Sequence, residues 1–492
     1  MSGKQTRRVF LRGAAGVGAI AAVQLLAACG GQPAAPTAAP AKPAEAPKPA
    51  AATPAAPAGP TPTKPPEVAV PTSTPGAVPK VSKEPVTIRY MERAGSLGDG
   101  MRHFSRVYEE RNPGVTVKNE TTSWEDHTTK VATMVAAGTM ADVCFQHSSV
   151  QLPGLAAKGV WVDPEPLGNA DKHDWKQYYK WALDALRLGP NDKLAAMPMG
   201  VHSGENLLGW NREHLQKAGV KEPTPDTSVD ELTELCVSLK KAVPDIWPIV
   251  TPLAVYTMEA HSRSWKGYLI SEDRTKCGFD LPETQAAHQY VYDWVHKYKV
   301  MPGRAEMQGD YRQMFRSGKL GIAVDGPNNM WVGFNEAVAG RFTLGNTTWP
   351  SKPSGVVGTL PSVNGTVIWT KTKYMEHSWG LTKLLSSLEA SKWMAVNPPY
   401  IGPGAIIQAW NDPDVWKAGP IYKTCAEFWN KLDKEGVKFG ANPVPRNTRI
   451  QEFSDLYNNE WAAMVYGEKP YDKQAVADLQ KKLQAIMDKP MP

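Results

Sequence analysis

The stretch Val86-Thr87-Ile88-Arg89-Tyr90 alternates apolar and polar side chains, and two more short apolar stretches follow it, Val115-Thr116-Val117 and Ala141-Asp142-Val143-Cys144-Phe145. Short runs of this kind predict strands. Between them, residues 101–108 and 131–135 carry apolar side chains at helical spacing. This order of strand and helix predicts a mostly parallel sheet with helices on both faces.

A second region of the same kind lies further along the chain. Leu207-Leu208-Gly209-Trp210 and Gly321-Ile322-Ala323-Val324 predict two more strands. Ser228 and Glu231 have the spacing of a capping box, which predicts the start of a helix. The apolar side chains spaced from 379 to 394 predict one amphipathic helix.

Residues 1–28 have the pattern of an export signal. Four basic residues and no acid lie in residues 1–12, and residues 13–28 are almost wholly apolar but too few to span a bilayer. The segment Thr6-Arg7-Arg8-Val9-Phe10-Leu11 resembles the bacterial twin-arginine motif. Leu26-Ala27-Ala28-Cys29 resembles a lipobox, in which Cys29 is lipidated and becomes the mature N-terminus. The alternative is a plain secretory signal that a chance cysteine follows.

Residues 29–84 differ in composition from the rest of the chain. Fifteen of the 43 prolines lie in residues 31–80, and no Trp, Tyr, Phe or Leu lies between Gly30 and Glu84. Such a segment cannot bury enough apolar surface to fold. We expect a disordered tether that holds the body away from a lipid anchor by up to on the order of 100 Å. The alternative is a proline-rich docking ligand.

The net charge lies at the N-terminal end of the chain. Of the formal charge of +6, residues 1–28 carry +4 and residues 29–84 carry +2, so residues 85–492 are electrically balanced. A nucleic-acid-binding domain carries a basic face. We therefore expect no nucleic-acid partner.

The sequence contains no motif that indicates catalysis or metal binding. His-Glu-x-x-His, Gly-x-Ser-x-Gly, P-loop and calcium-loop patterns are all absent, and the ten histidines are scattered. Cys144 and Cys236 fit core positions, whereas Cys277 and Cys425 either form a disulfide or stay free. We expect that the protein is not an enzyme and needs no metal and no cofactor.

Tryptophan is unusually frequent, with 17 Trp against 10 Phe. A flat aromatic face suits the C–H face of a sugar, while a fully buried Trp must satisfy its ring N–H. For any single Trp, core packing is the simpler interpretation. For the whole set, we expect several rings to line a ligand cleft.

Several segments together resemble extracellular solute-binding proteins of bacterial ABC importers, family 1, the sugar-binding group that includes maltose-binding protein. The family patterns are Phe…Asn-Pro-Gly-Ile/Val, Ala-Ala-Gly-x-x-Pro-Asp-Val, Tyr-Asn-Lys-Asp-Leu-Phe-Lys-Lys-Ala-Gly, Thr-Trp-Asp-Glu-Leu and Phe-x-x-Gly-Lys…Gly-Pro-Trp. The matching segments of this chain are residues 104–117, 136–143, 210–220, 227–232 and 315–327. They keep the family's order over roughly residues 85–490.

The resemblance implies an α/β fold of the type II periplasmic-binding-protein class. Two lobes, each a mixed sheet flanked by helices, would be joined by a hinge around a central cleft, with the chain crossing about three times. Lobe 1 would comprise residues 85–198 plus 356–404, and lobe 2 residues 199–355 plus 405–492. The implied function is to capture a solute, most simply a sugar, and to deliver it to the transmembrane subunits of an ABC permease. The protein would be a monomer, anchored through Cys29 to the outer face of the cytoplasmic membrane.

Candidate ligand-binding residues follow from the resemblance and from the rule that such sites lie outside the carboxyl ends of strands. In place of the family's Gly-Pro-Trp this chain has Gly326-Pro327-Asn328-Asn329, so either Trp331 or the loop amides would replace the missing ring. This departure argues against a maltose-like ligand. The full candidate set is Glu92, Arg93, Trp124, Gln146, His147, Ser148, His202, Glu205, Trp265, Asp325, Asn328, Asn329, Trp331, Asn364 and Trp369.

Three other functions stay open. The same fold could bind a non-sugar solute such as a polyol phosphate, a polyamine or an iron chelate. A surface-anchored glycosidase would need two acids about 5–10 Å apart across a cleft. A structural surface lipoprotein would show no ligand-dependent closure.

Overall fold

The computed structural model describes residues 85–149, 151–202, 207–307, 310–325, 340–349, 358, 362–397, 402–435 and 444–491. The predicted signal peptide, with Arg7 and Arg8, and the predicted tether, with Cys29, lie outside these residues.

Within the described residues, the first sheet has five strands in the order β2-β1-β3-β9-β4. Strands β1, β2 and β3 are parallel, as the sequence predicted, with Val86 opposite Val115 and Tyr90 opposite Val143. Strand β9 runs antiparallel to both β3 and β4, which makes the sheet mixed. The strands are β1 Val86–Arg93, β2 Val115–Thr122, β3 Val143–His147, β4 Met197–His202 and β9 Ser362–Ile368.

The described part of the second sheet has four strands in the order β6-β7-β5-β8. Strands β6 and β7 are parallel, and β5 runs antiparallel to both β7 and β8. The strands are β5 Leu207–Asn211, β6 Trp247–Val250, β7 Leu320–Asp325 and β8 Leu344–Thr348. Both sheets are mixed and flanked by helices, so the predicted α/β fold class is confirmed.

Helices connect and cover the strands. In the part of the chain up to β8 they are α1 Ser96–Arg111, α2 Trp124–Ala136, α3 Pro153–Ala156, α4 Pro164–Ala170, α5 Lys180–Ala185, α6 Arg212–Ala218, α7 Val229–Ala242, α8 Val255–Ser264, α9 Pro282–His296 and α10 Tyr311–Arg316. After β9 they are α11 Met375–Leu385, α12 Leu388–Val396, α13 Ile407–Trp410, α14 Pro413–Ala418, α15 Pro420–Glu435, α16 Ile450–Val465 and α17 Lys473–Met487. Two short 3-10 turns lie at Trp175–Gln177 and Pro190–Asp192.

Local side chains set several helix ends. The predicted capping box is present, because the Ser228 hydroxyl accepts from the Glu231 amide and the Glu231 carboxylate accepts from the Ser228 amide. The prediction of one helix from 379 to 394 is wrong. The chain breaks between α11 and α12, where the Ser387 hydroxyl accepts from the Ala390 amide and starts a new helix.

Buried apolar side chains cover both faces of the first sheet. Ile88, Phe104 and Phe145 belong to one cluster with α1 and α11. Met91 and Cys144 belong to another cluster, which extends to helices α13 to α15. A third cluster packs α7, α8, α9, α16 and α17 on the second sheet.

Tryptophan and cysteine contribute mainly to these cores. Among the largest fully buried side chains are Trp210, Trp294, Trp349, Trp410, Trp429 and Trp461. The four cysteines of the described chain, including Cys277 and Cys425, are buried and free, so the disulfide alternative is not formed.

The chain passes from the first sheet to the second between His202 and Leu207, and returns between Thr348 and Ser362. Residues 203–206 can span at most about 18 Å, so the facing ends of β4 and β5 lie close together. The predicted lobe boundaries at 198/199, 355/356 and 404/405 stay a prediction. None of the helices in the described ranges is long and apolar enough to cross a membrane.

Candidate functional site

The carboxyl ends of β1, β2 and β3 form one end of the first sheet, which we call the first edge. Parallel pairing brings Arg93 opposite Thr122 at this edge. The antiparallel strand β9 adds Asn364 opposite His147, and places Ser362 opposite His202 of β4. The candidates brought to the first edge are Glu92, Arg93, Gln146, His147, Ser148, His202 and Asn364, and Trp124 begins α2 directly after β2.

Glu92 is fully buried below the first edge. Its Oε1 accepts from the Thr121 hydroxyl at 2.5 Å and forms an ion pair with Arg102 of α1. Its Oε2 is buried and has no hydrogen-bond partner in the described chain. The Glu92 charge is therefore compensated inside the protein.

A buried histidine organises the centre of the first edge. His127 of α2 lies with its Nδ1 at 2.5 Å from the Thr122 hydroxyl and its Nε2 at 2.8 Å from the Phe145 carbonyl oxygen. Burial lowers the pKa of His127, and the positive charges of Arg93 and Lys130 lower it further, although the bond to Phe145 raises it. The imidazole is therefore neutral at physiological pH.

Gln146 packs directly against this histidine. Its amide nitrogen position lies 3.3 Å from His127 Nε2 and 3.4 Å from Cys144 Sγ. Gln146 is only 1% exposed, and its Oε1 position has no hydrogen-bond partner among the described residues. A buried amide with one unsatisfied end is costly unless something else pairs with it.

The loop after β3 contacts α8, a helix that packs on the second sheet. Ser148 extends the pairing with β9, because its amide donates to the Val363 carbonyl at 2.9 Å and its hydroxyl accepts from the Val363 amide at 3.0 Å. The Ser149 carbonyl accepts from the Tyr256 hydroxyl of α8 at 3.4 Å. The Ser149 hydroxyl is buried and finds no partner within the described ranges.

The facing end of the second sheet, which we call the second edge, contains Val250, Leu207, Asp325 and Thr348. Asp325 is fully buried, and its Oδ2 accepts from the Tyr311 hydroxyl at 2.7 Å and from Arg312 Nε at 2.8 Å. Burial lowers the pKa of Arg312, but the hydrogen bond and the charge of Asp325 outweigh it and raise that pKa.

An aromatic stack lies just behind the second edge. The His261 ring stacks on Trp349 with centroids 3.8 Å apart, and its Nε2 lies 3.4 Å from the Thr251 hydroxyl. Burial lowers the pKa of His261 to about 3. This ring is therefore neutral, like His127.

Comparison with known proteins identifies the family. Residues 94–392 match the model of the bacterial extracellular solute-binding proteins, and this match covers more than half of the chain. The chain belongs to this family. A curated Brucella abortus protein described as a binding protein is 22% identical over 322 residues, which cover 63% of this chain and 73% of the relative.

Solved structures of solute-binding proteins share the fold. An ABC substrate-binding protein from Listeria monocytogenes, in complex with cycloalternan, has a TM-score of 0.70 at 20% identity and covers 82% of this chain and 99% of its own. The GacH receptor of Streptomyces glaucescens, solved with acarbose, has a TM-score of 0.68 at 18% identity, with coverages of 82% and 99%. UgpB of Mycobacterium tuberculosis, in complex with glycerophosphocholine, has a TM-score of 0.67 at 16% identity, with coverages of 82% and 98%. These likenesses show the two-lobe type II fold.

Within this solute-binding fold, two candidates lie away from the facing edges. Trp369 follows Ile368, which pairs with Val143 at the amino end of β3, so Trp369 lies at the opposite end of the first sheet from His147. Trp265 ends α8 and packs against Tyr290 with ring centroids 5.3 Å apart. Neither residue joins the cluster at the first edge.

Four other candidates cannot be placed, and a fifth is placed by its backbone alone. Glu205, Asn328, Asn329 and Trp331 lie outside the described residues, and only the strand position of His202 is described. Conversely, sequence reasoning missed His127, Tyr256, Tyr311 and Arg312. Their one sequence signal was position, since His127 follows the predicted second strand and Arg312 precedes the predicted strand at 321–324.

Proposed function

We propose that this solute-binding protein is the capture subunit of an ABC importer and that it binds an uncharged, polyhydroxylated solute, a carbohydrate, between the first and second edges. One observation carries the proposal. The two buried carboxylates at these edges, Glu92 and Asp325, are each compensated by an arginine of the protein. The remaining groups of the edges include neutral amides, hydroxyls and imidazoles, which suit hydroxyl groups of a solute.

The bound ligands of the structural neighbours support this solute class. The Listeria protein was solved with cycloalternan and the Streptomyces receptor with acarbose. By analogy of fold, hinge closure of the two lobes would enclose the solute and present both lobes to a permease.

The proposed role is binding without catalysis. A glycosidase requires one carboxyl group that donates a proton and a second that acts as nucleophile or base. Glu92 and Asp325 fit these roles poorly, because each is held in an ion pair and fully buried. We therefore propose that the bound solute leaves unchanged.

We further propose that Cys29 carries a lipid and that residues 29–84 tether the binding body to the outer face of the cytoplasmic membrane. The basic, apolar and cysteine-ending pattern of residues 1–29 supports this proposal. The family's pattern also favours a monomer. Metabolic labelling with a lipid precursor tests the anchor, and labelling that survives Cys29→Ser would contradict it.

The function is tested by the melting temperature of the full chain in detergent against maltose, maltotriose, D-mannitol, glycerophosphocholine, peptides and divalent metals. A solute that binds only the folded protein stabilises it by about 2.7 kcal/mol at a hundredfold excess over Kd. A shift with a carbohydrate that chromatography then recovers intact supports the proposal. A shift only with a metal or a peptide overturns the solute class, and hydrolysis of the sugar overturns the non-catalytic role.

One observation favours a second solute class. Arg93 lies at the first edge, close enough to His127 for its charge to lower the pKa of that histidine. A cationic group at this position suits a solute with a phosphodiester, such as the glycerophosphocholine bound to UgpB. A larger melting shift with glycerophosphocholine than with any sugar would favour this class.

A further inference from the structure

At the first edge, His127 fixes which atom of the Gln146 amide takes the buried position that has no hydrogen-bond partner among the described residues. The His127 Nε2 lies 2.8 Å from the Phe145 carbonyl oxygen, which can only accept a hydrogen bond. Nε2 must therefore carry the proton. The Nδ1 atom then accepts from the Thr122 hydroxyl at 2.5 Å, which completes the neutral Nε2–H form of the ring.

This tautomer decides the orientation of the neighbouring amide. With its nitrogen 3.3 Å from His127 Nε2, the Gln146 amide would set one N–H donor against another. The same position lies 3.4 Å from Cys144 Sγ, and burial raises the pKa of that thiol to about 12, so it too carries a proton. Both groups already donate to the Phe145 carbonyl oxygen, at 2.8 Å and 3.2 Å. Rotating the amide by 180° removes the contact between donors and places its oxygen beside them as a second acceptor.

The rotation also changes what the amide offers at its other end. The position that has no hydrogen-bond partner in the described chain then holds the NH₂ group, with donors in place of an acceptor. We propose that His127 is a positioning residue that turns the Gln146 amide so that it donates to an acceptor oxygen of the solute. This inference rests on the proposed function, and it adds that the solute has an oxygen acceptor, such as a ring, carbonyl or hydroxyl oxygen, next to the end of β3.

The surroundings of Gln146 agree with this role. The Ser149 hydroxyl, three residues further along, is also buried and without a partner among the described residues. The Tyr256 hydroxyl closes over the same loop through the Ser149 carbonyl. Polar groups left unsatisfied in a native protein need an explanation, and a solute enclosed between the two edges supplies one for both residues.

The first test measures His127 without any solute. In the full chain with ¹⁵N-labelled histidine, the His127 signals are assigned by their loss in His127→Gln. We expect a ring protonated at Nε2 whose pKa lies below the ordinary value of 6.5. A ring protonated at Nδ1, or one that titrates near pH 6.5, overturns the positioning role.

The second test replaces the NH₂ donors at the unpartnered position by an acceptor. Gln146→Glu keeps the size of the side chain, keeps an oxygen against His127 and puts a carboxylate oxygen at the unpartnered position. For the carbohydrate that gives the melting shift, we expect Kd at pH 8 to rise roughly tenfold or more, as for the loss of one buried hydrogen bond. An unchanged or lower Kd overturns the proposal, because it shows that the solute does not need a donor from the amide at this position.

Gln151→Glu is the matched control. Gln151 is buried in the same loop, but its described bond uses the side-chain oxygen, which accepts from the His147 amide at 3.2 Å. The same chemical change should therefore leave Kd nearly unchanged. Thermal unfolding of each variant in the absence of solute checks that the fold is retained.

A double-mutant cycle separates positioning from mere stability. If His127 holds the amide, Gln146→Glu should raise Kd less in a His127→Ala background than in the wild type. In that background the Gln146 amide is already free to rotate before it is replaced. Additive effects overturn the coupling. If no carbohydrate binds at all, the assignment to sugars fails, and the ¹⁵N measurement alone decides whether His127 holds Gln146.

Discussion

Buried polar groups at the second edge and at the centre of the first edge are stabilised by different interactions. At the second edge a fully buried charge, Asp325, is held by Arg312 and Tyr311. At the centre of the first edge a neutral histidine links Thr122, Phe145 and Gln146 through hydrogen bonds. An ion pair fixes a strand end strongly but is costly to break, whereas a neutral network can exchange one partner for a solute. The difference indicates that the neutral centre of the first edge exchanges a partner more readily than the Asp325 ion pair does.

Acid should produce the largest effect, because two buried histidines lie on the side of the second sheet. Burial lowers the pKa of His261 to about 3 and that of His288 to about 4, both below the ordinary value of 6.5. The unfolded chain therefore binds these protons first. The stability that the neutral rings contribute is complete above pH 6.5 and is lost as the pH falls toward 4, by about 3 kcal/mol for each ring.

Urea unfolding at pH 7 and at pH 4.5 measures this loss. His288 bonds through Nδ1 to the Thr284 carbonyl and through Nε2 to the Tyr457 hydroxyl. In His288→Gln the slope of unfolding free energy against pH should be smaller between these values. An unchanged slope would show that carboxylates, and not this buried ring, cause the acid sensitivity.

Removing the cation of the second edge should have the next largest effect. Arg312→Met leaves the Asp325 charge buried without its ion-pair partner, which should lower the unfolding free energy by about 3 kcal/mol. Chemical denaturation of the full chain measures this change. Arg304→Met, which breaks the exposed pair with Glu468, should leave the midpoint nearly unchanged. Equal effects of the two variants would contradict a larger contribution from the buried Asp325 ion pair than from an exposed one.

Breaking the neutral hydrogen-bond network around His127 should lower the unfolding free energy less than Arg312→Met does. Thr122→Val keeps the shape of the side chain but removes the hydroxyl that donates to His127 Nδ1. We expect a loss of about 1–2 kcal/mol, together with a weaker preference for the Nε2–H tautomer. A loss as large as that of Arg312→Met would remove the distinction between the two edges.

Removing the hydrogen bond between α8 and the loop after β3 should have the smallest effect on stability. Tyr256→Phe removes the hydroxyl that donates to the Ser149 carbonyl, while the ring keeps its packing. Global stability should change by less than about 1 kcal/mol, but amide exchange in residues 149–152 should become faster. Tyr290→Phe, which removes a bond to Asp230 on the same side of the molecule, should not change exchange in that loop.

Local sequence patterns predicted those features of the fold that are encoded by residues close together in the sequence. The three parallel strands and the capping box at Ser228 follow from spacing alone. The antiparallel insertion of β9 does not, because its partners in β3 and β4 are distant in sequence. The break at Ser387 was missed because a serine that caps a helix also fits the polar side of a longer one.

The candidate site was predictable in position more than in detail. Strand ends pointed to Gln146 and His147, and the first edge brings these together with Asn364, a further candidate. Their partners were not visible, because the contact of His127 with Gln146 requires packing between α2 and β3. Tryptophan abundance was a weak signal, because rings such as Trp294 and Trp410 are fully buried and satisfy their N–H groups with Thr233 and Gly404.

The position of β9 has a consequence for biosynthesis. Strand β4 pairs with β9, which leaves the ribosome about 160 residues later. At about 5–20 residues per second, this delay lasts roughly 8–30 seconds. During that time the sides of β3 and β4 that β9 will occupy offer unpaired backbone groups, while the described strands of the second sheet, β5 to β8, are made. The second sheet can therefore assemble first, and the nascent first sheet needs protection from edge-to-edge association until its last strand arrives.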